Sequence, residues 1–133
     1  MIVADASAVL DVLLRTPAAA FAESELLADG AEVHAPATLD LEVGGVLRRW
    51  QLAGHLSSER AELALDFYED QRIVLHPPRE LLRRAWALRD NLVISDGLYA
   101  ALAEALGASL LTTDGQMARA LRRHTSVEVV APR

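Results

Sequence analysis

Met1-Ile2-Val3-Ala4-Asp5-Ala6-Ser7 decides how the rest of the chain is read. A short apolar run ends on an aspartate, and Val9, Leu10, Leu13 and Leu14 follow at helical spacing. A buried strand feeding directly into a helix, with a carboxylate at the junction, begins an α/β unit. Ligands of open α/β sheets bind outside the carboxyl ends of the strands. Asp5 therefore stands where chemistry is expected.

The alternation continues along the chain. Further short strands are predicted at 32–35, 73–75, 109–112 and 127–130. A second helix opens on Thr16-Pro17, a proline-at-N1 start, and closes at the turn residues Asp29-Gly30. A third runs from about 38 to 53, with Leu39, Val43, Val46, Leu47 and Trp50 facing inward. Gly44-Gly45 inside it lowers helix stability, which predicts close packing against a neighbour. Ser57 or Ser58 caps the next helix, with Leu63 and Phe67 inward. Another carries Leu81, Leu82, Ala85 and Leu88. Ser95 caps the following one, Gly107 closes it, and a short helix covers about 115–123. Short strands alternating with helices imply one domain, residues 1–133, of the α/β class. Its central five-stranded sheet is mostly parallel and covered on both faces as three layers.

Composition narrows the function. The 133 residues carry a net charge of -6, which argues against bulk electrostatic capture of nucleic acid. All basic residues are arginine, with pairs at Arg48-Arg49, Arg83-Arg84 and Arg122-Arg123 that match phosphate oxygens if they flank a cleft. There is no cysteine, so disulfides and thiolate metal sites are excluded. No apolar run reaches membrane-spanning length and no signal-like start precedes the first strand, so a cytoplasmic protein without membrane contact is expected. His34, His55, His76 and His124 are scattered and form no spaced zinc pair; they read as surface or strand-end residues.

Four acids stand out: Asp5 after the first strand, Asp114 after the fourth, Asp96 in the first turn of a helix, and Glu42 beside an apolar helical stripe. Each has a plain alternative. Asp5 and Asp114 fit N-caps, Asp96 fits a helix dipole, and Glu42 can reach solvent. Asp11, Asp40, Asp66, Asp70, Asp90 and Glu104 fit solvated helix faces or ends.

Four stretches together resemble the PIN-domain family, and most closely the VapC-type toxins of bacterial toxin–antitoxin pairs. They are 2–10 (IVADASAVL), 41–49 (LEVGGVLRR), 95–104 (SDGLYAALAE) and 111–120 (LTTDGQMARA), in family order across the whole chain. Ser95 stands where many relatives carry an aromatic residue. The resemblance implies that Asp5, Glu42, Asp96 and Asp114 are the family's acidic quartet, with Ser7, Thr112 and Thr113 as supporting hydroxyls. Oxygen-only ligands select hard cations, so Mg²⁺ is the implied cofactor and Mn²⁺ a substitute. The implied activity is metal-dependent endoribonuclease cleavage of an RNA substrate, with Arg48, Arg49, Arg83, Arg84, Arg122 and Arg123 as candidate phosphate contacts. Implied partners are a cognate antitoxin and a second copy of the chain. An RNA-processing nuclease outside such a pair, and a non-catalytic RNA- or protein-binding module, are the alternatives; the intact acids argue against the latter.

Overall fold

The computed structural model describes residues 1–28 and 30–133. In order the elements are β1 (Ile2–Ala4), α1 (Ala6–Leu14), α2 (Ala19–Leu26), β2 (Val33–Pro36), α3 (Thr38–Leu52) and α4 (Ser58–Asp70). Then come β3 (Val74–His76), α5 (Pro78–Ala87), α6 (Ile94–Leu106), β4 (Ser109–Leu111), α7 (Gly115–His124) and β5 (Val129–Val130). The sheet order is β3-β2-β1-β4-β5, and every strand pair is parallel. Being central, β1 is buried on both faces, which explains its uninterrupted apolar run. The chain winds from β1 toward β3 on one side and returns to β4 on the other. The switch point between β1 and β4 is where ligands of such sheets bind.

Helix α6 is the structural centre. Gly97 through Ala103 are all buried, as expected of a helix apolar on every side. It packs against β1, β2 and β4 and carries α5 on its outer side. Gly97 permits that approach: a Cβ there would lie 3.1 Å from Ala85 Cα and Cβ and 3.2 Å from its carbonyl oxygen.

Several local expectations are corrected. Helix α3 buries Leu39, Val43 and Leu47, whereas Trp50 is exposed. Helix α4 buries Ala64 and Tyr68, leaving Leu63 and Phe67 exposed. Two apolar stripes lie one residue apart on α4, and spacing cannot choose between them. Tyr68 wins because its hydroxyl donates to Asp40 Oδ1 at 2.6 Å, satisfying its polar end. Gly44 and Gly45 are not packing contacts. A Cβ at Gly44 meets nothing, and one at Gly45 meets only Arg49 Nη1 at 3.5 Å. Ser57 caps α4 as expected. Ser95 does not cap α6, which starts one residue earlier behind Val93. Helix α2 starts at Ala19, and Thr16 instead donates its hydroxyl to Asp11. At the Asp29-Gly30 turn, Asp29 lies outside the described residues.

His34 is also corrected: it is buried rather than at the surface. Its Nε2 donates to Glu32 Oε1 at 2.6 Å, and its Nδ1 lies 2.8 Å from His76 Nε2, bridging β2 to β3. Among the described residues no helix is long and apolar enough to cross a membrane.

Gly97→Ala tests the α5–α6 contact. Backbone faces the added methyl, so overpacking is expected to cost about 1–3 kcal/mol, read as a lower denaturant midpoint. An unchanged midpoint would show that the two helices separate freely.

Candidate active site

Asp5 is the N-cap of α1 and is 4% exposed. Its Oδ1 accepts from Ala8 N at 3.0 Å and from Ser7 Oγ at 2.6 Å. Its Oδ2 accepts from Thr112 Oγ1 at 2.7 Å. Both hydroxyls are themselves fixed by backbone donors of the β4–α7 loop. Thr113 N donates to Ser7 Oγ at 3.1 Å, and Asp114 N donates to Thr112 Oγ1 at 3.1 Å. Two backbone N–H groups are thus relayed through hydroxyls onto both oxygens of one carboxylate. Burial pushes the Asp5 carboxyl above its ordinary range; the bonds from Ser7, Thr112 and Ala8 work against that, and the charge of Asp114 adds to it.

The other three acids gather round it. Glu42, half-buried on α3, accepts from Tyr99 Oη at 3.0 Å through Oε1. Burial pushes its carboxyl above the ordinary range, the Tyr99 bond opposes this, and the charges of Asp5 and Asp96 add to it. Asp96 lies in the first turn of α6 and is pushed up to about 6 by burial, then by Asp5 and Asp114. Asp114 is the N-cap of α7, its Oδ1 accepting from Gln116 N at 2.9 Å and Met117 N at 3.2 Å. The capping alternatives for Asp5 and Asp114 therefore hold alongside their place in the cluster. Asp5 is the hub: its charge acts on Glu42 and Asp96, and the charge of Asp114 acts on it.

The donor set suits a hard divalent cation: all four groups present carboxylate oxygens, and their mutual repulsion is relieved by positive charge. Among the described residues no three of them stand close enough to cage an ion unaided. The charge coupling nevertheless spans the quartet, and it is the better guide here, because Mg²⁺ keeps several waters and takes only one or two carboxylates. Thr38 Oγ1, one turn before Glu42 on α3, is buried without a hydrogen-bond partner among the described residues. Such an orphan calls for a water or an ion.

The expected arginines divide. Arg84 is committed to Glu104 through bonds of 2.7 and 3.1 Å. Arg122 and Arg123 lie in the last turn of α7, about 12–14 Å from its Asp114 start at 1.5 Å per residue. Arg122 Nη2 donates to Val129 O at 3.4 Å. Arg48 and Arg83 are exposed on α3 and α5. Arg49 folds back over Gly45, toward the turn that carries Glu42. Sequence spacing missed Arg119, whose Nη1 would lie 3.4 Å from a Cβ on Gly115, beside Asp114. It also missed Tyr99 as the partner of Glu42. Asp11 was expected on a solvated face, but its carboxylate accepts from Thr16 and Thr113 hydroxyls. No spacing rule signals contacts between residues so far apart in the chain.

The PIN domain family matches residues 2–122. Ribonuclease VapC12 of Mycobacterium tuberculosis is 36% identical over 131 residues, covering 98% of this chain and 100% of that one. Ribonuclease VapC3 of the same organism is 43% identical over 119 residues, covering 90% and 86%. The crystal structure of VapBC2 from Rickettsia felis, bound to a DNA fragment from their promoter, superposes with a TM-score of 0.71. That likeness covers 98% of each chain at 18% identity and speaks for the fold alone. Family match, relatives over nearly the full length and the acid-lined switch point agree: the chain belongs to the PIN-domain family, among proteins of the VapC type.

Proposed function

We propose that this chain is a metal-dependent endoribonuclease, the toxin of a toxin–antitoxin pair neutralised by a cognate antitoxin. The observation that carries this is the Asp5 hub, a buried carboxylate held at both oxygens and coupled to three other acids at the switch point. The relatives named as VapC ribonucleases support the same activity.

Asp5, Asp96 and Asp114 would hold Mg²⁺ or Mn²⁺, with Glu42 either joining them or orienting the attacking water. When bound, the ion supplies Lewis-acid activation of that water and neutralises charge at the phosphate. The residues do the rest. Ser7 and Thr112 donate to both Asp5 oxygens and so oppose the burial that favours its protonated form. The Tyr99 hydroxyl is held protonated by burial and by the adjacent Glu42. It therefore always donates to Oε1, leaving Oε2 to take a proton from water. Arg119, and Arg49 of the Arg48-Arg49 pair, rather than Arg83-Arg84 and Arg122-Arg123, offer guanidinium groups to RNA phosphates. In-line attack would leave a 5′-phosphate and a 3′-hydroxyl. A homodimer is expected. The cleft beside α1 and α4, where Val12, Leu13, Leu63 and Phe67 are flanked by Arg15, Glu23 and Arg60, suits an amphipathic antitoxin segment.

Asp5→Asn is expected to lower Mg²⁺-dependent cleavage of RNA by more than about a hundredfold, and chelation to abolish it in the unaltered protein. Full cleavage by the variant would sink the assignment.

Asp96 gives a pH test. Its carboxyl is raised from 3.8 to about 6 in the folded chain, so its contribution to stability is full below the unfolded value and lost as pH rises through about 6. In chelator, Asp96→Asn should stabilise the fold by about 1 kcal/mol near pH 7.5, after allowing for solvent screening, with no gain near pH 4.5. Thermal melts at both values decide it; an equal effect at both would contradict the repulsion.

Arg119→Ala, in the Asp5→Asn background, should weaken binding of a labelled RNA and reduce its salt slope by about one. A slope identical to that of Asp5→Asn alone would remove Arg119 from the phosphate contacts.

A further inference from the structure

Asp11 lies on α1, one and a half turns beyond Asp5 and outside the acid quartet. Its Oδ1 accepts from Thr16 Oγ1 at 2.6 Å and its Oδ2 accepts from Thr113 Oγ1. An ionised carboxylate only accepts, so both hydroxyl protons are directed at it. Thr113 separates Thr112 from Asp114. With its side chain anchored on α1, its backbone N–H faces Ser7 Oγ at 3.1 Å, which leaves the Ser7 proton for Asp5 Oδ1. The next peptide N–H, that of Asp114, faces Thr112 Oγ1, whose proton goes to Asp5 Oδ2. The anchor thus sits at the head of both relays.

We infer that Asp11 is a positioning residue for the acid site, acting through Thr113 to set the β4–α7 loop that holds Asp5 and presents Asp114. It touches neither the ion nor the RNA. The inference rests on the four acids being a metal site, and it adds a fifth acid whose oxygens serve as acceptors within the protein itself. A carboxylate serving only to join α1 to the loop would alter stability and leave the affinity of the folded protein for metal untouched.

The test is calorimetric titration with Mn²⁺ of the full chain and of Asp11→Ala, Asp11→Asn, Thr113→Val, the Asp11→Ala/Thr113→Val double variant and Asp5→Asn. Melts in chelator identify the temperature at which each is folded. Asp11→Ala and Thr113→Val are each expected to weaken Mn²⁺ binding about tenfold. The double variant should be no weaker than the worse single one, because both break the same contact. Asp11→Asn should recover most of the affinity, since an amide oxygen still accepts from Thr113 while its N–H₂ faces Thr16. Unchanged Mn²⁺ affinity in Asp11→Ala, or multiplying losses in the double variant, overturns the inference while Asp5→Asn still loses binding. Full Mn²⁺ binding by Asp5→Asn overturns the metal-site reading itself, and the Asp11 role with it.

Discussion

The buried charge of Asp5 is the constraint on which the rest depends. A carboxylate removed from water is costly unless hydrogen bonds and a counter-charge compensate it. Its protein donors are one backbone N–H of its own helix and two hydroxyls, Ser7 and Thr112. Thr112 follows β4, so the β1–β4 pairing is what brings that donor within reach. The same pairing carries Asp114 to the site by way of the next loop. Strand order, loop conformation and the acidity of one side chain are therefore a single problem.

The second half of the site depends on α6. Its seven buried residues in succession make it the core's largest helical element, and its first turn also presents Asp96. An acid there is favoured by the helix dipole, which partly offsets the repulsion from Asp5 and Asp114. Gly97 draws α5 against that turn, and Tyr99 extends from the same helix to Glu42 on α3. The core helix is thus tied to two of the four acids. The like charges oppose the packing that gathers them, and a bound cation would relieve that opposition.

What spacing revealed and what it hid follow from the reach of each interaction. Asp5 and Asp114 were legible because strand ends and helix starts are local events, readable from a few residues. The five-strand alternation was legible for the same reason, although α4's buried stripe was misassigned. Apolar periodicity gives a direction only to within one residue, and the Tyr68–Asp40 bond that selects the stripe joins different helices. The Thr113–Asp11, Thr112–Asp5 and Tyr99–Glu42 contacts are tertiary, with partners separated by 57 to 107 positions. His34 was misread likewise, since its partner His76 lies 42 positions away.

The arginines show why composition alone misleads about nucleic acid. A chain with net charge -6 and an acid-lined site repels RNA at long range. For the proposed ribonuclease, binding would have to be local, with cationic groups close enough to the acids to meet the same phosphate. Pairing along the sequence does not supply this. Arg122-Arg123 lie at the far end of α7, and Arg84 is neutralised by Glu104. A single arginine one turn after a glycine is better placed, its guanidinium lying back along the helix. Gly115 and Arg119 make that arrangement directly beside Asp114, and Gly45 and Arg49 repeat it beyond Glu42. At both glycines a guanidinium lies back along its helix, at the start of α7 and within α3. Alanine at either position would make only ordinary contact with the guanidinium, so the arginine can rest there whether or not the residue is glycine.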